Sequence, residues 1–119
     1  RQRQMCIRDS TWTEKQTKEE KRQFIEDVAE IVSSAIRVPS EIVNVLICEL
    51  PAENVRFPEA VFTISWSRHP DRNPESKKEI IRRITEKVLA VSDIKPEKIV
   101  IFFHDLPGED VGVAGNPRT

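Results

Sequence analysis

The chemistry-bearing residues of this chain crowd into Ser67-Arg68-His69-Pro70-Asp71-Arg72, where two guanidinium groups, an imidazole and a carboxylate share a short stretch. Taken alone, arginines at a strand end or in a polar loop, as Arg68 and Arg72 are, occur simply as solvated charges. The second histidine, His104, sits between the apolar run 99–103 and Asp105, and reads as a satisfied structural histidine before it reads as a general base. His69 and His104 have no third ligand at metal spacing, so no metal is expected. Cys6 and Cys48 form neither a disulfide framework nor a zinc pattern. Cys48 closes an apolar run and is expected as a small buried hydrophobe. Serine, histidine and aspartate are present, but no G-x-S-x-G turn exists to expose a nucleophile. Gly108, Gly112 and Gly115 lack the Lys-Ser/Thr of a phosphate loop and are read as turn and hairpin residues. No cofactor is implied.

These residues need a scaffold, and the chain displays it as an internal repeat. Glu49-Leu50-Pro51-Ala52-Glu53-Asn54-Val55 recurs 56 residues later as Asp105-Leu106-Pro107-Gly108-Glu109-Asp110-Val111. The same shift carries Lys21 to Lys77, Phe24 to Ile80, Val28 to Ile84 and Val32 to Val88, and lays 43–47 on 99–103 without a gap. Thr17 with Glu20 is a capping box, whose hydroxyl and carboxylate satisfy orphan helix N–H groups. Phe24, Ile25, Val28, Ile31, Val32 and Ala35 follow at helical spacing. Asn73-Pro74 opens a second helix with the buried stripe Ile80, Ile81, Ile84, Val88 and Leu89. The pairs Lys77-Lys78 and Arg82-Arg83 are interleaved with Glu75, Glu79 and Glu86 and read as its solvated face.

Residues 42–47 and 99–103 are nearly continuous β-prone runs that suit covered strands. In 61–67, Phe62, Ile64 and Trp66 alternate with Val61, Thr63 and Ser65, as a half-buried strand requires. Trp66 and Phe103 are read as core rather than pocket lining. The repeat predicts a partner strand over 5–11. Residues 1–10 show no periodicity, and MCIRDS resembles translated adapter sequence, so this segment is expected to be a non-native or disordered start outside the fold. The remainder, 11–119, is one domain made of repeats 11–60 and 61–119. Two right-handed β-α-β units give an α+β fold, a four-stranded mixed sheet with two helices on one face. The other face, expected to carry Val45 and Ile101, then needs cover from other subunits. With 19 basic and 20 acidic side chains, the net charge of −1 gives no field for nucleic acid or an anionic membrane. No apolar run approaches the roughly 20 residues of a membrane span, no leader is visible, and a cytoplasmic location is expected.

A tandem pair of β-α-β units with these turns resembles the tautomerase superfamily, on Thr17-Lys18-Glu19-Glu20-Lys21-Arg22, Glu53-Asn54 and the tail Glu109-Asp110-Val111-Gly112-Val113-Ala114-Gly115. The resemblance covers residues 11–119, and its two-unit members include macrophage migration inhibitory factor, malonate semialdehyde decarboxylase and cis-3-chloroacrylic acid dehalogenase. It implies a homotrimer and a small carboxylate substrate. It also implies catalysis by an amino-terminal proline, whose amine an apolar pocket holds near neutral pKa. The family's proline stands about fifteen positions before the lysine matching Lys21, which falls on Cys6, a residue with no secondary amine. Gln16 stands where many single-unit members carry an arginine. Arg68, and more loosely Arg72, match the arginines that hold the substrate carboxylate in the two-unit members, a role suited to the bidentate guanidinium fork.

The resemblance therefore implies an isomerase acting on a small 2-keto or 2-hydroxy-enoic acid, nearly inactive as written. Decarboxylase and dehalogenase chemistry remain open beside it. Alternatives are a non-catalytic interaction protein on the same fold and a ferredoxin-like regulatory module.

Overall fold

A computed structural model describes residues 3–9, 16–40, 43–49 and 60–117, with the backbone alone at 3–9 and 46–49. The first unit is strand β1 (Arg3–Asp9), helix α1 (Lys18–Ile36) and strand β2 (Val43–Glu49). The second is β3 (Ala60–Ser67), α2 (Pro74–Val91) and β4 (Ile99–Leu106), followed by the two-residue strands β5 (Gly112–Val113) and β6 (Asn116–Pro117). The main sheet has the order β2-β1-β3-β4. Within each unit the strands are parallel, and the units meet where β1 and β3 pair antiparallel. This is the expected α+β architecture, with each helix crossing over the same face.

Both helices start where their caps dictate. Thr17 Oγ1 accepts from the Glu20 N–H at 3.1 Å, and Glu20 Oε1 accepts from the Thr17 N–H at 2.7 Å. Asn73 Oδ1 accepts from the Ser76 N–H at 2.9 Å, with Pro74 in the first turn. The two caps stand at equivalent positions of the repeat. Helix α1 ends at Arg37 in the left-handed region (φ 60°), whose N–H donates to the Ser33 carbonyl. The α2 stripe is narrower than its apolar residues suggest. Ile80, Ile84 and Val88 are fully buried, whereas Ile81 and Leu89 are 41% and 38% exposed. At about 100° per residue these two turn away from the face the sheet can cover.

The core lies between the helices and the sheet, with Phe62, Ile64 and Trp66 of β3 under Phe24, Val28, Val32, Ile80, Ile84 and Val88. Register decides what else faces inward. Ile101 pairs with Phe62, and Val45 pairs with Met5, which in turn pairs with Ile64. Val45 and Ile101 accordingly pack against the helix-side core, not on the opposite face as expected. An unbroken apolar run carries no parity of its own, so only pairing with an alternating strand such as β3 sets its faces. The opposite face presents Val61, Thr63, Ser65 and Val100, all half-buried, with exposed His104 and half-exposed Phe102 (50%).

The segment set aside as lying outside the fold supplies a central strand. β1 is hydrogen-bonded between β2 and β3 over Arg3–Asp9, two positions ahead of the predicted 5–11. A strand flanked on both sides takes its conformation from its partners, and weak propensity does not exclude it. Residues 10–11, the end of the predicted 5–11 strand, and the turn at Glu53-Asn54 lie outside the described residues. The β5–β6 hairpin turns through Ala114 (φ 53°) and Gly115 (φ 85°), and the left-handed backbone at Gly115 is where glycine serves the turn.

Candidate active site

The site lies where β3 and β4 end side by side. The Arg68 N–H donates to the Leu106 carbonyl at 2.8 Å, holding the exit of β3 against β4. Beyond it the chain turns tightly. The Arg72 N–H donates to the His69 carbonyl at 2.9 Å, and the Asp71 N–H donates to His69 Nδ1 at 3.1 Å. Asn73 Nδ2 donates to the Pro70 carbonyl, and Ser76 Oγ donates to the Asp71 carbonyl at 2.7 Å, tying the turn to the start of α2. Arg68, His69, Pro70, Arg72 and Asp105 line a depression of about 380 Å3 at this corner.

Two arginines enter that depression in different states. Arg68 is exposed. Arg72 folds inward, is only 6% exposed, and places its guanidinium carbon 5.8 Å from the centroid of the buried Trp66 ring. Its Nε and Nη2 are buried and have no hydrogen-bond partner among the described residues. These two nitrogens form one edge of the guanidinium, with N–H bonds that run side by side and match the two oxygens of a carboxylate. A buried guanidinium costs several kcal/mol of lost hydration unless paired, on the order of the Born penalty after relaxation. Stacking on an aromatic ring returns about 0.5–2 kcal/mol of that. The unpaired edge is the feature of the site most in need of a ligand.

Beneath the arginines sits a polar hub that sequence reasoning passed over. Trp66 Nε1 donates a short hydrogen bond to Asp105 Oδ1, while Lys77 Nζ donates to Asp105 Oδ2 at 2.5 Å. Trp66 packs on Phe103 with ring centroids 5.3 Å apart, and Lys77 lies 5.7 Å from the Phe103 centroid. Burial pushes the Asp105 carboxyl upward, but the Lys77 ammonium, the Trp66 N–H and the charge of Arg68 outweigh it and hold the group below the usual carboxylate range. Phase was the available signal. Asp105 continues the inward series Ile99, Ile101, Phe103, and Lys77 stands one turn ahead of buried Ile80 and Ile84.

The remaining candidates lie elsewhere. His104, read as a structural histidine, points to the opposite sheet face, where it is exposed and lies 3.5 Å from Ser65 Oγ. One residue of strand alternation separates it from Asp105. Cys6 lies in the interior of β1, with Leu46 and Thr63 as Cα partners. Arg68 is five strand positions past Thr63, about 16 Å along the sheet at 3.3 Å per residue. Within one chain, Cys6 and Arg68 are therefore not brought together. Gln4 pairs with Ser65, so the start of β1, not Cys6, approaches the arginine corner. The fifteen-residue count runs through residues 10–15, outside the described set, whereas strand register does not. Trp66 and Phe103 are core residues, as read. Among the described residues, no three His, Cys, Asp or Glu side chains gather to hold a metal ion, and no helix is long and apolar enough to cross a membrane.

Known structures share this architecture. A fused 4-OT wild-type asymmetric trimer superposes with a TM-score of 0.80 at 20% identity, covering 97% of this chain and 95% of that one. A member of the cis-3-chloroacrylic acid dehalogenase family matches with a TM-score of 0.75 at 18% identity, over 98% of this chain and 83% of that one. A macrophage migration inhibitory factor-like protein from Entamoeba histolytica gives 0.75 at 16% identity, over 97% of each chain. The fold is thus that of two-unit, fused tautomerase-superfamily proteins. The family model described as Tautomerase enzyme matches residues 11–62 and 67–119, and the chain belongs to that family. No curated protein matches the sequence.

Proposed function

We propose that this protein is a tautomerase-type isomerase that moves a proton between carbon and oxygen of a small 2-keto or 2-hydroxy-enoic acid in the cytoplasm. The observation that carries the reading is the buried, unpaired Nε–Nη2 edge of Arg72. A carboxylate seated there gains two charge-assisted hydrogen bonds and relieves a stranded cation, while exposed Arg68 is placed to polarise the neighbouring carbonyl or enol oxygen. The proton-transferring base of the family is an amino-terminal proline. The resemblance implies that place at Cys6, which has no secondary amine, while the pairing of Gln4 with Ser65 supports a place earlier in the sequence, ahead of Arg3. Cys6 cannot itself serve as that base, because its backbone nitrogen is an ordinary amide and its side chain carries no amine.

The test is phenylpyruvate keto–enol tautomerisation, followed by absorbance. Two variants are compared with the chain as it stands: Cys6→Pro with residues 1–5 removed, and Gln2→Pro with Arg1 removed, each making the proline the first residue. At least one is expected to gain about 100-fold or more, the scale of a positioned general base, and adding Arg72→Ala is expected to abolish the gain. No gain in either variant removes the isomerase reading.

A trimer is proposed on two supports. The fused 4-OT neighbours are described as trimers, and the helix-free sheet face leaves Phe102 half exposed. That face also favours the second reading, a non-catalytic interaction protein whose assembled surface does the work. A stable trimer by sedimentation, with no turnover in either proline variant, is the outcome that selects it.

A further inference from the structure

The hub under the arginines holds a carboxylate that carboxylate binding by Arg72 does not itself use. Asp105 has no role in the reading above, yet one of its oxygens fixes the indole ring that Arg72 lies on, and the other is held by Lys77. We propose that Asp105 is a positioning residue for carboxylate recognition, setting the Trp66 ring and, through it, the direction of the Arg72 fork.

No hydrogen-bond acceptor among the described residues holds Nε or Nη2 of Arg72. The guanidinium is oriented by the ring face 5.8 Å away and by the backbone turn at His69. A flat ring orients a cation only as well as the ring itself is fixed. Trp66 is fully buried, but its tilt depends on Phe103 at 5.3 Å and on the indole N–H, whose acceptor is Asp105. Asp105 is in turn locked by a short ion pair from α2, the helix whose first turn is tied to the Arg72 loop through Ser76. Ring, carboxylate and ammonium thus form a closed support reaching both sides of the loop. The fork edge has parallel donors, so a small rotation misaligns both hydrogen bonds to a ligand together. The carboxylate of Asp105 also keeps the half-buried Lys77 from competing as a second, less directional anion site.

This inference rests on the carboxylate reading of Arg72, and the experiment separates the two. Pyruvate serves as probe, titrated by calorimetry into the intact chain and into Arg72→Ala, Asp105→Ala and the double variant Asp105→Asn/Lys77→Met. The double variant keeps an amide oxygen for the indole and leaves no stranded ammonium, so it tests the support if Asp105→Ala does not fold. Asp105→Ala is expected to weaken pyruvate binding about tenfold or more, far below its melting temperature, while the double variant stays within about threefold of the intact chain. The Trp66 indole N–H resonance, assigned with Trp66→Phe, is expected to move upfield in Asp105→Ala as the carboxylate acceptor is lost. A folded Asp105→Ala that binds pyruvate within about twofold of the intact chain overturns the positioning role, and so does an unchanged indole resonance. If Asp105→Ala does not fold, a double variant that loses binding as completely as Arg72→Ala overturns it. If Arg72→Ala itself leaves binding intact, the carboxylate reading fails first and takes this inference with it.

Discussion

The two repeats share a scaffold but diverge at one corner. Position by position, Thr17 answers to Asn73 as helix cap, Lys21 to Lys77, and Glu49 to Asp105. The divergence is at Arg72, whose counterpart is Gln16, and at Trp66, whose counterpart is Ser10. Gln16 is used structurally: its Nε2 donates to the Val91 carbonyl at 3.1 Å, in the last turn of α2. Arg72 is buried, and its Nε–Nη2 edge has no hydrogen-bond partner among the described residues. Duplication supplied two equivalent places for a polar side chain ahead of a helix. One now donates to the neighbouring helix, and the other is a buried cation with no side-chain partner for two of its nitrogens among the described residues.

The largest effect that bears on this contrast is expected at Trp66. Trp66→Ala removes a fully buried ring and the surface beneath Arg72, and should destabilise by about 3–5 kcal/mol in urea denaturation. Next comes the sign reversal between Arg72 and Gln16. Arg72→Met replaces a buried unpaired cation with an apolar side chain, and is expected to raise stability by on the order of 1 kcal/mol while abolishing pyruvate binding. Gln16→Met should instead lower stability by about 0.5–1.5 kcal/mol, the worth of one hydrogen bond, and leave binding alone. A loss of stability in Arg72→Met would show that the guanidinium is a structural group and erase the contrast.

The caps offer a finer comparison. Thr17→Ala and Asn73→Ala should each cost about 0.5–2 kcal/mol, measured by thermal unfolding. Only Asn73→Ala should also weaken pyruvate binding, because Asn73 Nδ2 holds the Pro70 carbonyl of the Arg72 turn. The smallest effect is in acid. Asp105 titrates lower in the folded chain than in the unfolded one, so its contribution is complete above the ordinary carboxylate pKa of about 4 and is lost as pH falls from there through the folded value. Asp27 is displaced in the same direction, with burial raising it and Lys87 and Gln23 outweighing burial. Asp105→Asn is therefore expected to flatten the acid limb of the stability–pH curve. Lys87→Met, breaking the 2.7 Å bridge between α1 and α2, should cost less than about 1 kcal/mol. An acid limb unchanged by Asp105→Asn would mean that the Lys77 pair contributes nothing in solution.

Much of this protein is written locally. The capping box at Thr17, the Asn73-Pro74 start, the spacing of Phe24, Val28 and Val32 and the shift between repeats each depend on residues a few positions apart. Short-range physics therefore suffices to place both helices and three of the strands, and the duplication implies that they share one sheet. Three things depended on neighbours far along the chain. Arg3–Asp9 becomes a central strand because β2 and β3 flank it, although its own side chains show no pattern. Val45 and Ile101 turn inward because pairing, not composition, sets the parity of an unbroken apolar run. Arg72 becomes a stranded donor, and Asp105 its indirect support, only when the ends of β3 and β4 close over Trp66. Spacing along a chain encodes periodicity. Burial of a charge depends on what packs around it, and that is decided by contacts between residues remote in sequence.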